Sequence, residues 1–313
     1  MGRMVTVGVA QLGPIERRHG RRNAVARLLA LMESAHARGC GLVVFPEAAL
    51  TPFFPHWYMD DEAEIDSYFE REMPGPETRP LFERARSLGI GFYLGYCELD
   101  REGGRRRRFN TSILVERDGR MVGKYRKVHL PGHADHRPGR AYQNLEKRYF
   151  EPGNLGFPVW RAFGGVVGMC ICNDRRWAET YRVMGLQGVE MILLGYNTPA
   201  VRVGGPAEAP HMAMFHHLLS CQAGAYQNAT WVAAAAKAGT EEGVYQIGGS
   251  CIVTPAGEIV ARALTDGDEL VAADCDLDMG RNLKDTTFNF ALHRRVEHYG
   301  LITQRAGVVP PEA

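Results

Sequence analysis

The sequence has no apolar run approaching the ~20 residues that span a bilayer as a helix, which sets aside a helical membrane protein. Net charge is nearly absent: Lys+Arg 37 against Asp+Glu 36 leaves +1. Without a one-signed field, neither nucleic acid nor anionic lipid is an expected partner. There is no fixed-period repeat, low-complexity block or linker, so solenoids and strings of modules are excluded. The opening Met1-Gly2-Arg3-Met4-Val5 lacks a signal peptide's apolar stretch and cleavage site, and the expected location is cytoplasmic. Cysteine is present, but not as a framework. Cys40, Cys97, Cys170, Cys172, Cys221, Cys251 and Cys275 are an odd set, mostly within apolar or small-residue runs. That suits reduced, buried thiols, and no two Cys pairs have zinc-finger spacing. What fills the 313 residues is 45% hydrophobic and 23% charged, a globular composition that rules out disorder, collagen and coiled coil.

Strand-like and helix-like segments alternate throughout, which predicts an α/β fold. Val5, Val7 and Val9 recur with period two, whereas Val25, Leu28, Leu29, Met32 and Ala35 recur at helical spacing before Gly39. The run Leu42-Val43-Val44-Phe45 stops at Pro46 and predicts a buried strand ending where Glu47 begins. A helix is expected near 81–88 and a strand over 91–98. Asp118-Gly119 signals a hairpin between 109–116 and 121–125. In the second half, 166–172, 191–196 and 230–237 read as strands, and 177–188 and 211–227 as helices. Segments 250–253 and 258–261 pair across Pro255-Ala256-Gly257. Two sheets covered by helices, in one domain over 1–313 with a short tail after about 305, is the expected organisation.

Three chemically capable residues stand at strand ends, where α/β folds place reactive groups. Glu47 follows Val43-Val44-Phe45-Pro46, Lys127 follows Gly123-Lys124-Tyr125-Arg126, and Cys172 follows Gly168-Met169-Cys170-Ile171. A strand, then Cys172, then Asn173-Asp174-Arg175-Arg176 and a helix has the outline of a nucleophile elbow. A thiol is mostly protonated at neutral pH and needs a base or a local cation before it attacks an acyl carbon. A buried Glu can be that base, and a Lys can stabilise both thiolate and oxyanion.

These blocks carry a resemblance. Phe45-Pro46-Glu47, Gly123-Lys124-Tyr125-Arg126-Lys127-Val128-His129-Leu130 and Cys172-Asn173-Asp174-Arg175-Arg176-Trp177 resemble the nitrilase superfamily, whose catalytic set is Glu, Lys and Cys. Leu145-Glu146-Lys147-Arg148-Tyr149-Phe150, Gly195-Tyr196-Asn197-Thr198-Pro199 and Phe215-His216-His217-Leu218-Leu219-Ser220 resemble one branch, the N-carbamoyl-D-amino acid amidohydrolases. The similarity runs from about Val5 to about Leu301. It implies a four-layer αββα sandwich, a small-molecule substrate, no metal and no organic cofactor, and a homo-oligomer, dimer or tetramer, built through a helical face. It implies Cys172 as nucleophile, Glu47 as general base, and Lys127 with the Asn173 backbone N–H on the oxyanion. Glu146 matches a second glutamate that orients the lysine and substrate. Arg175 and Arg176 offer forks for an α-carboxylate, with Asn197, Thr198 and His129 nearby. The branch has histidine where this chain has Asn144, which keeps hydrogen bonding but loses a titratable cation.

Other features read as ordinary structure. Cys170 reads as filler, and Cys40, Cys221 and Cys251 as core thiols. His129, His133, Asp135 and His136 form a tempting metal set, but Pro131-Gly132 breaks any helix there. A loop at the mouth of the site is expected instead. His216 and His217 cannot both face one way on a helix, and one is expected to be packed or capping. Arg105-Arg106-Arg107-Arg108 reads as a solvated turn rather than a nucleic-acid patch.

Overall fold

The computed structural model describes residues 2–140, 143–200 and 210–312. Its strands, in chain order, are β1 Met4–Gln11, β2 Leu42–Val44, β3 Gly91–Asp100, β4 Arg107–Val115, β5 Met121–Arg126, β6 Val159–Ala162 and β7 Gly165–Ile171. They continue with β8 Met191–Tyr196, β9 Trp231–Ala236, β10 Ala238–Glu241, β11 Val244–Ile247, β12 Cys251–Val253, β13 Ile259–Arg262 and β14 Glu269–Asp276. One six-stranded sheet has the order β14-β1-β2-β3-β4-β5, the other β13-β12-β9-β8-β7-β6, and β10-β11 form a separate hairpin.

The two sheets face each other. Val5, Val7, Val9, Leu42, Val44 and Tyr93 of the first share a core with Val167, Met169, Ile192, Leu194 and Val232 of the second. Period two in β1 explains this: the valines point into the gap and the alternate residues point away. The outer face of the first sheet (Val43, Phe45, Phe92, Leu94) packs on Val25, Leu28, Met32, Leu81 and Ala85. Those residues come from helices Arg21–Ala37 and Arg79–Leu88. On the second sheet, Tyr181 and Met184 of helix Ala178–Leu186 and Cys221 and Ala225 of helix Pro210–Asn228 close the outer layer. The result is the expected helix–sheet–sheet–helix sandwich.

The predicted hairpin forms, with Gly119 at φ 81° in the turn between β4 and β5. Among the described residues, no helix is long and apolar enough to cross a membrane. The arginine run differs from expectation. Arg106 pairs with Glu62 and Asp66, Arg108 with the same two carboxylates, and Arg107 with Glu151. The acidic segment packed beside it makes this an ion-paired strand end rather than a solvated turn.

Candidate active site

Two inner strands and one hairpin strand end at the same place. The parallel pairings β2–β3 and β7–β8 set Glu47 and Cys172 just past the ends of β2 and β7, and β5 delivers Lys127. Room for the Glu47 backbone comes from two glycines. A Cβ added at Gly195 would lie 2.5 Å from the Glu47 nitrogen, and one at Gly95 would lie 2.7 Å from its Cα. Ala48 follows at φ 46°, a left-handed turn that folds the chain away from the strand.

Glu47 is fully buried. Its Oε1 accepts from Lys127 Nζ at 2.7 Å and from Asn110 Nδ2 at 2.7 Å, and its Oε2 accepts from the Asn197 backbone N–H at 2.9 Å. Lys127 Nζ also donates to Glu146 Oε2 at 2.5 Å. Two buried carboxylates thus share one ammonium. Burial disfavours the Lys127 charge, yet Glu146 and Glu47 outweigh it and hold the ammonium above its ordinary range. Burial pushes Glu146 up to about 7, against the pull of Lys127.

Cys172 opens a short 3-10 turn, Cys172–Arg176, at φ 48°. A side-chain-bearing residue held there is strained, and such strain collects at functional sites. Its Sγ donates to the Asn197 carbonyl at 3.3 Å. Burial raises the thiol's pKa, Glu47 raises it further, and Lys127 and Arg175 pull against both. The resting sulfur is therefore a protonated thiol beside a carboxylate and an ammonium.

The turn is clamped by Asp174, which lies in the interior. Its carboxylate accepts from Ile171 N–H at 3.1 Å, Tyr125 hydroxyl at 2.7 Å and His129 N–H at 2.9 Å, and lies 2.8 Å from His129 Nδ1. This links the Cys172 turn to the chain that carries Lys127. Neither Asp174 nor Asn110 was anticipated. The available signal was a polar residue amid strand residues, Asn110 in Phe109-Asn110-Thr111, and an acid two residues after a candidate nucleophile.

A cavity of about 460 Å³ opens over the sulfur, lined by Cys172, Asn173, Asn144, Glu146, Asn197 and Thr198, with Phe53 as an apolar wall. His133, Arg137 and Arg176 add basic groups. Two expected binding residues stand elsewhere. Arg175 is buried behind the turn, with its guanidinium on the Cys172 carbonyl (2.6 Å) and Thr198 Oγ1 (2.9 Å) and stacked over Tyr196. It braces the site and does not line the cavity. His129 is held by Asp174 and stacks on Trp177, also outside the lining. The loop after His129 runs along the cavity, contributing Pro131, Gly132 and His133 to its lining; His133 Nδ1 bonds the Asp135 carbonyl and His136 stacks on Tyr58.

The family model for carbon–nitrogen hydrolases matches residues 6–285. The chain is 29% identical over 294 residues to the N-carbamoylputrescine amidase of Arabidopsis thaliana, covering 90% of this chain and 91% of that protein. It is 32% identical over 265 residues to the citrullinase of Francisella tularensis, covering 82% and 86%. Its fold matches the crystal structure of a carbon–nitrogen hydrolase from Helicobacter pylori G27 with a TM-score of 0.81 at 23% identity, over 97% and 99% of the two chains.

Proposed function

The chain belongs to the carbon–nitrogen hydrolase family, and from that membership we propose that it hydrolyses N-carbamoyl-D-amino acids to the D-amino acid, ammonia and carbon dioxide. Hydrolysis of a non-peptide carbon–nitrogen bond by an amidase or carbamoyl hydrolase is the activity its relatives share. The observation that carries the finer reading is the thiol of Cys172 buried beside the Glu47–Lys127–Glu146 cluster, under a cavity with a basic lining.

Because the Cys172 thiol is protonated at rest, attack requires a base. Glu47 takes the thiol proton as sulfur bonds to the ureido carbon. Lys127 and the Asn173 backbone N–H stabilise the oxyanion. Collapse breaks the bond to the amino acid nitrogen, which leaves with the proton from Glu47, and a carbamoyl thioester remains on Cys172. Glu47 then deprotonates water, which attacks the thioester. Carbamic acid departs and decomposes to ammonia and carbon dioxide, and the proton returns to sulfur. Asn197 Oδ1 is buried without a hydrogen-bond partner among the described residues, and it accepts a ureido N–H in this reading.

Arg176, with Arg137 and His133 beside it in the lining, favours a substrate carboxylate. That argues for an N-carbamoyl amino acid over N-carbamoylputrescine, whose far end is a cation. The preference for the D enantiomer is supported by the resemblance of the sequence blocks around Glu146, Asn197 and His217. Exposed Val183, Leu186, Phe215, Leu219 and Tyr226 on neighbouring outer helices support a homo-oligomer through that face.

The test is ammonia release from N-carbamoyl-D-phenylalanine, its L enantiomer, N-carbamoylputrescine and an aliphatic amide. The D-ureido acid is expected to have the highest kcat/KM. Equal turnover of both enantiomers, or preference for the putrescine derivative, defeats the assignment while leaving the cysteine chemistry standing.

A further inference from the structure

A second group of nucleophilic and ligating side chains takes no part in the chemistry above. His217 and Cys221 lie one turn apart on helix Pro210–Asn228, and Cys251 begins β12. All three are buried, and one ligand atom from each lies within 4.8 Å of the other two. Cys221 Sγ is 3.8 Å from His217 Nδ1, and Cys251 Sγ is 3.8 Å from Nε2. For nitrogen and sulfur bound to one ion at about 2.0 and 2.3 Å, the N···S edge is about 3.5–3.8 Å; the Cys221 edge to Nδ1 already has that length, and Cys251 Sγ, which rests against the other ring nitrogen, has to swing toward Nδ1 to close the set.

The tautomer of the imidazole follows from its neighbours. The Tyr196 hydroxyl donates to the Gly248 carbonyl at 2.8 Å and lies 2.9 Å from His217 Nε2. The Tyr196 proton is thus committed, Nε2–H donates to the Tyr196 oxygen, and the lone pair is left on Nδ1, facing Cys221. A ring nitrogen oriented by a hydrogen bond at its other nitrogen is the usual state of a metal-binding histidine.

Charge completes the argument. The fully buried Arg175 guanidinium has no carboxylate partner among the described residues; it donates to the Cys172 carbonyl and Thr198 Oγ1, and the thiols whose charge would act on it are Cys172 first and then Cys221. Two thiolates, Arg175 and a monovalent cation sum to zero. We propose that His217, Cys221 and Cys251 form a binding site for a thiophilic d10 cation, copper(I) in preference to zinc(II). Binding releases the two thiol protons and changes no oxidation state. A dry, three-donor N/S₂ site suits copper(I), whereas structural zinc takes four ligands.

The test uses the full-length protein carrying Cys172→Ala, so that the other reactive thiol is silent. It is loaded anaerobically with copper(I) or zinc(II), desalted against a competing chelator, and its ion content measured. One equivalent per chain is expected for copper(I), falling to background on adding Cys221→Ala, which removes the sulfur. Cys251→Ala is the second variant, used if Cys221→Ala lowers the melting temperature. Retention of zinc(II) alone, lost with Cys221, supports the site and overturns the preference for the monovalent ion. Retention of neither ion, or retention indifferent to both substitutions, overturns the proposal.

Discussion

Glu146→Gln isolates the behaviour of two carboxylates around one ammonium. Burial pushes Glu146 from an ordinary 4.5 up to about 7. Between those values the folded protein holds a proton that the unfolded chain has given up, so stability falls as pH rises through that window. From pH 5 to pH 8 this one group removes about 2–3 kcal/mol. Denaturant melts at the two pH values should show that loss in the parent protein, and a loss smaller by about that amount in Glu146→Gln. Turnover should report the same proton. Above about pH 7 the ionised Glu146 draws Lys127 from Glu47, which then serves as a stronger base, so kcat rises through neutrality. In Glu146→Gln that inflection disappears. The plateau falls about 10- to 100-fold, the value of a charged hydrogen bond of about 1.5–3 kcal/mol to Lys127 Nζ. An unchanged inflection, with an unchanged pH dependence of stability, would refute the reasoning.

Three further outcomes follow from the same geometry. Lys127→Met strands Glu47 and Glu146 without their shared cation, and denaturant melts should show a loss of about 3–5 kcal/mol together with near-complete loss of turnover. Arg176→Met should raise KM for an N-carbamoyl amino acid about 10- to 100-fold with kcat little changed, whereas Arg175→Met, which empties a buried brace, should lower the melting temperature; matching KM effects in both would contradict the division of labour. Gly195→Ala inserts a methyl group against the Glu47 backbone and should cost about 1–3 kcal/mol in stability while lowering kcat more than it alters KM.

Much of the framework was legible because its signals are local. Alternation in β1, the run ending at Pro46 and the Asp118-Gly119 turn each fix an element within a few residues. The four-residue strand Val159–Ala162 and the eight-residue strand Glu269–Asp276 went unread. The second is recruited by full-length antiparallel pairing with β1, from Met4↔Asp276 to Gln11↔Glu269, a partnership some 260 residues apart that no window detects. The same holds at the site. Glu47, Lys127 and Cys172 announce themselves at strand ends, but Asn110 and Asp174 earn their place only through partners brought from other strands. The adjacent arginines show the limit most clearly. Sequence makes Arg175 and Arg176 equivalent, and the tight turn at Cys172 sends one inward beneath that residue while the other lines the cavity.

The central claim is a covalent bond to one sulfur. Rapid-quench mass spectrometry during turnover of an N-carbamoyl amino acid should find a carbamoyl group on the peptide that contains Cys172, appearing before free ammonia. Cys172→Ala should carry no adduct and lose turnover by about 10⁴-fold or more. Undiminished turnover in that variant, or a carbamoyl group that never appears at Cys172, would contradict the account.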